Sequence, residues 1–271
     1  MLVSRNISYQ VGKKNILTGC NLQVKPGTFT AIVGPNGAGK STFLKILAKE
    51  TSAQSGEVNV NGQNIDKLNS ADLSKIRAVM PQHSNISFPY NIEQVIEVGR
   101  YPYKTSRKEN DAVIDAVIKH NQLDGYRNRV YQTLSGGEQQ RVQLARIMAQ
   151  VWDKTTFPKY LLLDEPTSDL DIHHQHALLN TAKELCQKNM GIVAVLHDLN
   201  LAAQYADEIV LMKDGSIYKQ GPCNLVLTKE NIEEVFDHPV EVFLEPRTGK
   251  KVIISIPKTF TKETINQKYY A

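Results

Sequence analysis

Little in this sequence points to crosslinks, zinc or membrane spans. Only three of its 271 residues are cysteine: Cys20, Cys186 and Cys223, far apart and with no C-x-x-C pair. That excludes a disulfide framework and a thiolate zinc site, and it fits a reducing compartment. No apolar run exceeds five residues, reached at 192–196, whereas a helix crossing a bilayer needs about 18. Residues 1–10 lack the basic-then-apolar pattern of a secretory leader. Neither charge sign dominates: Lys+Arg 32 against Asp+Glu 28 leaves +4, spread along the chain. This gives no argument for a nucleic-acid partner. The chain has no internal repeat and no low-complexity tract. A soluble, cytoplasmic protein is expected, one that reaches a membrane only through a partner.

What is present is ordinary globular composition, 41% hydrophobic and 22% charged. The length suits one large domain or two small ones, at about 150 residues each. The first 65 residues read as short strands, at 2–11, 15–24, 28–34 and 57–60. Pro26-Gly27 marks a turn, and a helix is expected over 41–49. Residues 83–150 change character. Helical periodicity covers 91–99, 107–123 and 137–150, with Val142, Ala145, Met148 and Ala149 in one stripe. Strand and helix then alternate: strand 160–163, helix 172–186, strand 192–196, helix 199–206 and a hairpin over 209–219. That alternation predicts an α/β fold: a parallel sheet with helices on both faces, entered through an N-terminal β part and interrupted by a helical insertion. A last hairpin over 240–257 and a polar tail from Lys258 to Ala271 complete the chain. The expected division is 1–237 for the main unit, with the helical subdomain at about 83–150, and 238–271 for hairpin and tail.

Three motifs carry chemistry. Gly34-Pro35-Asn36-Gly37-Ala38-Gly39-Lys40-Ser41 fits G-x-x-x-x-G-K-[ST], with a strand before and a helix after. Glycines let successive N–H groups wrap phosphate oxygens, and the helix start adds its dipole. Lys40 can reach the β- and γ-phosphates, and the Ser41 hydroxyl can ligate Mg²⁺. In 160–165 a buried apolar strand ends in Asp164 and Glu165, at the strand edge where open α/β sheets bind ligands. Asp164 suits the Mg²⁺ shell, and Glu165 can activate a water for attack on the γ-phosphate. Strand alternation sends the two side chains to different sides. In 134–141, Ser135-Gly136-Gly137-Glu138 opens a helix and forms a second anion-ready N-terminus, 95 residues beyond Lys40. A head-to-tail dimer would let each such face clamp the nucleotide of the other copy.

These residues, with GPNGAGKST through Thr42 and LLLDEP, resemble the nucleotide-binding subunits of ABC transporters over about residues 2–237. The resemblance implies a P-loop ATPase with ATP and Mg²⁺ as cofactors. It makes Tyr9 the aromatic that stacks on adenine. Gln82 becomes the glutamine that senses Mg²⁺ and attacking water, and His197 the histidine that bonds the γ-phosphate. Ser168-Asp169-Leu170-Asp171 becomes the loop that meets its mate across a dimer, with Asp169 in place of the usual alanine. It further implies two transmembrane permease subunits and an extracytoplasmic binding protein.

Within the family, details are similar to importers of iron chelates, cobalamin and haem. Residues 95–102 read V-x-x-V-G-R-x-P and resemble the V-x-x-V-x-x-G-R-x-P segment of these importers, an amphipathic stretch expected to end in an exposed Arg100-Tyr101-Pro102 and to seat a short cytoplasmic permease helix. Residues 77–90, the extra segment 151–158 and Asp171-Ile172-His173-His174-Gln175 resemble the haem branch. His173, His174 and His176 are not expected to bind haem, because neighbours at these spacings do not converge on one axial site. They read as a solvated or interfacial helix start. Three rival readings are weaker. A soluble ABC ATPase acting on nucleic acid or ribosomes usually carries two cassettes or a long coiled coil. A non-catalytic regulator sits poorly with Glu165 and His197. Ferric siderophore or cobalamin import keeps the mechanism and changes the cargo.

Overall fold

The computed structural model of the chain describes residues 1–82, 86–168 and 170–258. The N-terminal strands β1 (Leu2–Val11) and β2 (Lys14–Val24) form an antiparallel hairpin. On its other side β1 pairs antiparallel with β4 (Ser55–Val60), which leads into the short β5 (Gln63–Asn64). The second sheet holds β3 (Phe29–Val33), β6 (Arg77–Met80), β7 (Lys159–Asp164), β8 (Met190–Val195), β9 (Glu208–Lys213) and β10 (Ser216–Pro222). Their order is β10-β9-β3-β8-β7-β6. Every neighbour pair in it is parallel except β10 on β9.

The period-2 geometry of strands divides the core in two. Ala31, Leu161, Leu163, Ile192, Ala194, Ile209 and Leu211 face one cluster, while Ile32, Tyr160, Leu162, Val193, Val195, Val210 and Met212 face the other. Both sets are apolar because both faces of the sheet are covered, as parallel sheets require. The first face is covered by α3 (Ile92–Glu97), α4 (Arg107–His120), α5 (Gly136–Val151), α6 (Ile172–Cys186) and α7 (Leu199–Tyr205). The second is covered by α1 (Lys40–Leu47) and the antiparallel sheet.

Helix ends follow local chemistry. Asn91, Ser106 and Ser135 each close a capping box with the residue three places on, and Asp171 and Asp198 cap α6 and α7. The apolar stripe of α5 is wider than its period suggests, since Gln143, Leu144, Ile147 and Val151 are buried too.

Several elements depart from the sequence reading. Helix α2 (Ser70–Ile76) and strand β6 have no counterpart in it, and neither do α8 (Cys223–Val226) and α9 (Lys229–Phe236). Each spans eight residues or fewer, too short to display a period. The C-terminal hairpin forms as β11 (Val240–Leu244) and β12 (Lys251–Ser255). The tail beyond residue 258 and Asp169 lie outside the described residues. The segment 95–102 needs a correction. Tyr101 is exposed, but Arg100 is only 3% exposed. Its guanidinium donates to Asn110 Oδ1, the Ala149 carbonyl and Asp153 Oδ2, each at 2.9 Å, and lies 4.0 Å from the Tyr103 ring centroid. A buried cation bonded to three partners is a strut under this turn, anchoring it to the extra segment after α5.

Leu162 is fully buried at the centre of β7. Leu162→Ala is expected to cost about 2–5 kcal/mol of unfolding free energy. Urea denaturation checks this, and an unchanged midpoint would remove the residue from the core.

Candidate active site

Four neighbouring parallel strands, β3, β8, β7 and β6, end on the same edge of the sheet. Each delivers a candidate residue just beyond its last position. β3 leads into the loop from Gly34 to Lys40, and β8 into His197. β7 ends in Asp164 and Glu165, and β6 is followed by Gln82.

The loop's glycines are required by crowding as well as by conformation. At Gly34 a Cβ would lie 2.3 Å from the Met212 carbonyl oxygen. At Gly39, with φ +91°, it would lie 2.7 Å from Leu17 Cδ2 and 2.8 Å from the Ile16 carbonyl oxygen. Pro35, Asn36 and Gly37 form the open side of the loop, and Ala38 is buried beneath it. Phe43 N–H donates to the Gly39 carbonyl. The N–H groups of Lys40, Ser41 and Thr42 therefore fall in the first turn of α1, where helices leave donors unpaired.

Lys40 is 5% exposed, and its ammonium donates to the carbonyls of Gly34 (2.8 Å) and Pro35 (2.9 Å). Burial pulls its pKa below the usual lysine value, opposed by the negative charges of Glu165 and Asp164. Ser41 Oγ donates to Asp164 Oδ1 at 2.8 Å. Desolvation raises the Asp164 carboxyl above its ordinary pKa, and the Ser41 bond works the other way.

Glu165 is the hub. Gln82 Nε2 donates to its Oε2 at 2.6 Å, and His197 Nε2 lies 2.6 Å from its Oε1. Three residues from three strand ends thus meet on one carboxylate. Asp164 and Glu165 do diverge, though by a turn and not by strand alternation. The strand stops at Asp164, and Glu165 takes a left-handed conformation with φ +49°. Ser168 holds that turn, donating to the Glu165 carbonyl from Oγ at 2.9 Å and from its N–H at 3.2 Å. Such strain in a non-glycine residue persists only where surroundings enforce it. The bracing by Ser168 has no signal in the sequence.

The Ser135 turn is more occupied than a bare helix start. Its hydroxyl accepts from Glu138 N–H at 3.4 Å, and Glu138 Oε2 accepts from Ser135 N–H at 2.8 Å. The bond from the Ser135 N–H holds the Glu138 carboxyl below its usual pKa. Gly136 is open, whereas a Cβ on Gly137 would lie 2.8 Å from the His174 ring. His174 Nδ1 lies 2.8 Å from Asp171 Oδ1, which also accepts the His174 N–H. So α6 touches the start of α5 through one imidazole. His173 is exposed, and His176 Nδ1 lies 2.6 Å from the Tyr205 hydroxyl. Tyr9 is half-buried on β1, at the margin of the second core cluster, and Asp171 is engaged as the α6 cap.

Residues 17–168 match the family model described as ABC transporter. The hemin import ATP-binding protein HmuV of Bartonella henselae is 39% identical over 258 residues, covering 94% of this chain and 97% of that protein. The protein of the same name from Rhizobium meliloti is 41% identical, covering 91% and 95%. Among solved structures, the dimeric ATP-binding cassette MJ0796 bound to ADP and Pi is 27% identical with a TM-score of 0.71, covering 82% of this chain and 99% of that one. An inward-facing ABC transporter described as of metal-chelate type shares the fold, with a TM-score of 0.80 at 24% identity over 95% and 98% of the two chains. Since the matched segment spans more than half of the sequence and the relatives align along nearly all of it, the chain belongs to the ABC transporter family, as an ATP-binding, ATP-hydrolysing subunit.

Proposed function

We propose that this chain is the ATPase of a haem importer, working as a homodimer beneath two permease subunits at the cytoplasmic face of the membrane. An extracytoplasmic haem-binding protein would deliver the cargo to those permeases. The observation that carries the catalytic part is the convergence of Gln82 and His197 on Glu165, beside the paired Ser41 and Asp164. The relatives named for hemin import support the cargo. Among the described residues no helix is long and apolar enough to cross a membrane, which fits a subunit that borrows its membrane contact. In this reading 1–237 is the ATPase unit, with the helical part at about 83–150, and 238–271 is an appended hairpin and tail.

Backbone N–H groups from Gly34 to Thr42 cradle the triphosphate, and Tyr9 supports the base. Lys40 turns from its two carbonyl acceptors to the β- and γ-phosphates. Ser41 and Asp164, with Gln82 at hand, are the hard oxygen donors that Mg²⁺ takes. Asp164, buried and paired among the described residues with the neutral Ser41 hydroxyl, suits a cation beside it. When bound, the ion neutralises charge on the phosphate oxygens. Glu165 accepts a proton from the attacking water, while Gln82 and His197 hold its carboxylate and His197 meets the γ-phosphate. The donors still missing on the far side of the phosphate come from Ser135, Gly136, Gly137 and Glu138 of the second copy. Asp171 closes the adjoining loop by capping α6. Closing of the pair on ATP and reopening after hydrolysis is a two-state cycle that ligand affinity can drive.

Glu165→Gln should keep ATP binding and lower steady-state hydrolysis by about 100-fold or more. Phosphate release measures it, and wild-type turnover would remove Glu165 as the base. Ser135→Arg should leave nucleotide affinity per copy within about twofold by fluorescence titration and abolish hydrolysis, because it obstructs only a neighbour's site. Undiminished hydrolysis would refute the shared site. For cargo, vesicles holding the subunit with its permeases should take up haem and neither ferric siderophore nor cobalamin in an ATP-dependent manner. Preference for either rival would replace haem.

A further inference from the structure

We propose that the C-terminal hairpin is a clamp on the histidine of the active site, with Asn200 as the positioning residue that joins them. The inference rests on the reading of His197 as a partner of Glu165 in hydrolysis. His197 sits between β8 and α7, and its side chain is 46% exposed. Packing alone therefore does not fix the imidazole against Glu165. What fixes its backbone is the turn that follows. Asp198 Oδ1 accepts from the N–H groups of Asn200 (2.7 Å) and Leu201 (3.1 Å), making the start of α7 one rigid unit.

That unit is tied to the far end of the chain. Asn200 Nδ2 donates to the Ile253 carbonyl at 3.1 Å, and Ile253 N–H donates to Asn200 Oδ1 at 2.8 Å. One side-chain amide thus reads both backbone groups of a β12 residue, as a further strand would. Both groups of Ile253 face Asn200, so they point away from β11 and belong to the open edge of the hairpin. An edge strand offers such groups to any passing chain, and here one is occupied from within.

The hairpin is itself anchored, so it can bear on α7. Ile253 and Val240 are buried in the first core cluster. Lys251 Nζ donates to the carbonyls of Asn224 (2.7 Å) and Leu227 (2.8 Å) at α8, and Lys229 pairs with Glu241 at 2.6 Å. A line of direct bonds thus runs from α8 through β12 and Asn200 to the turn carrying His197.

The test uses the full-length protein. Asn200→Ala should shift the NMR signal of the His197 imidazole nitrogen that faces Glu165, in the direction seen in Glu165→Gln. It should lower kcat for ATP about tenfold while KM stays within about twofold, since small misplacement acts on the reacting geometry. Asn200→Asp keeps the oxygen that accepts from Ile253 and loses the donor, so it should give a smaller shift of the same sign and serves if the alanine variant does not fold. An unmoved His197 signal in both variants would overturn the clamp. A moved signal with undiminished kcat would support the clamp and overturn the role of His197 in hydrolysis.

Discussion

Four parallel strands side by side, all ending on one edge, are the constraint on which this molecule depends. Because β3, β8, β7 and β6 are neighbours in that order, residues from Gly34, His197, Glu165 and Gln82 arrive together without any of them being close in sequence. The sheet can run parallel only because both faces are covered, and its strands are accordingly apolar on both faces. The same burial that stabilises the fold strips water from Lys40 and Asp164. That loss of water is the largest influence on their ionisation, and a few direct neighbours offset it.

Much of this was legible in the residues, for identifiable reasons. Strands β7 and β8 stand out because double-faced burial leaves an unbroken apolar run. The phosphate loop stands out because backbone wrapping demands glycine at fixed positions. The meeting of Gln82 and His197 on Glu165 was not legible from periodicity. It follows from strand order, and the resemblance to a family supplied the roles without the contact. Strand β6, four residues long and opening on Arg77, shows no period at all.

The misread residue is the most instructive. Arg100 looks like a surface cation beside Tyr101 and Pro102, since arginine is seldom buried. Its partners Asn110, Ala149 and Asp153 come from three different segments, so only the folded chain shows what pairs the guanidinium. The covering of Gly137 by His174 is hidden for the same reason. A glycine required by a distant side chain looks identical in sequence to one required by a turn.

The two carbonyl acceptors of Lys40 have a consequence for how tightly this loop can grip. The ammonium already commits two of its three hydrogens inside the loop. In the role proposed for this loop, an arriving polyphosphate would have to win a competition against the loop's own oxygens. The strength of its capture is the difference between two sets of charge-assisted bonds, which suits a machine that must also let go.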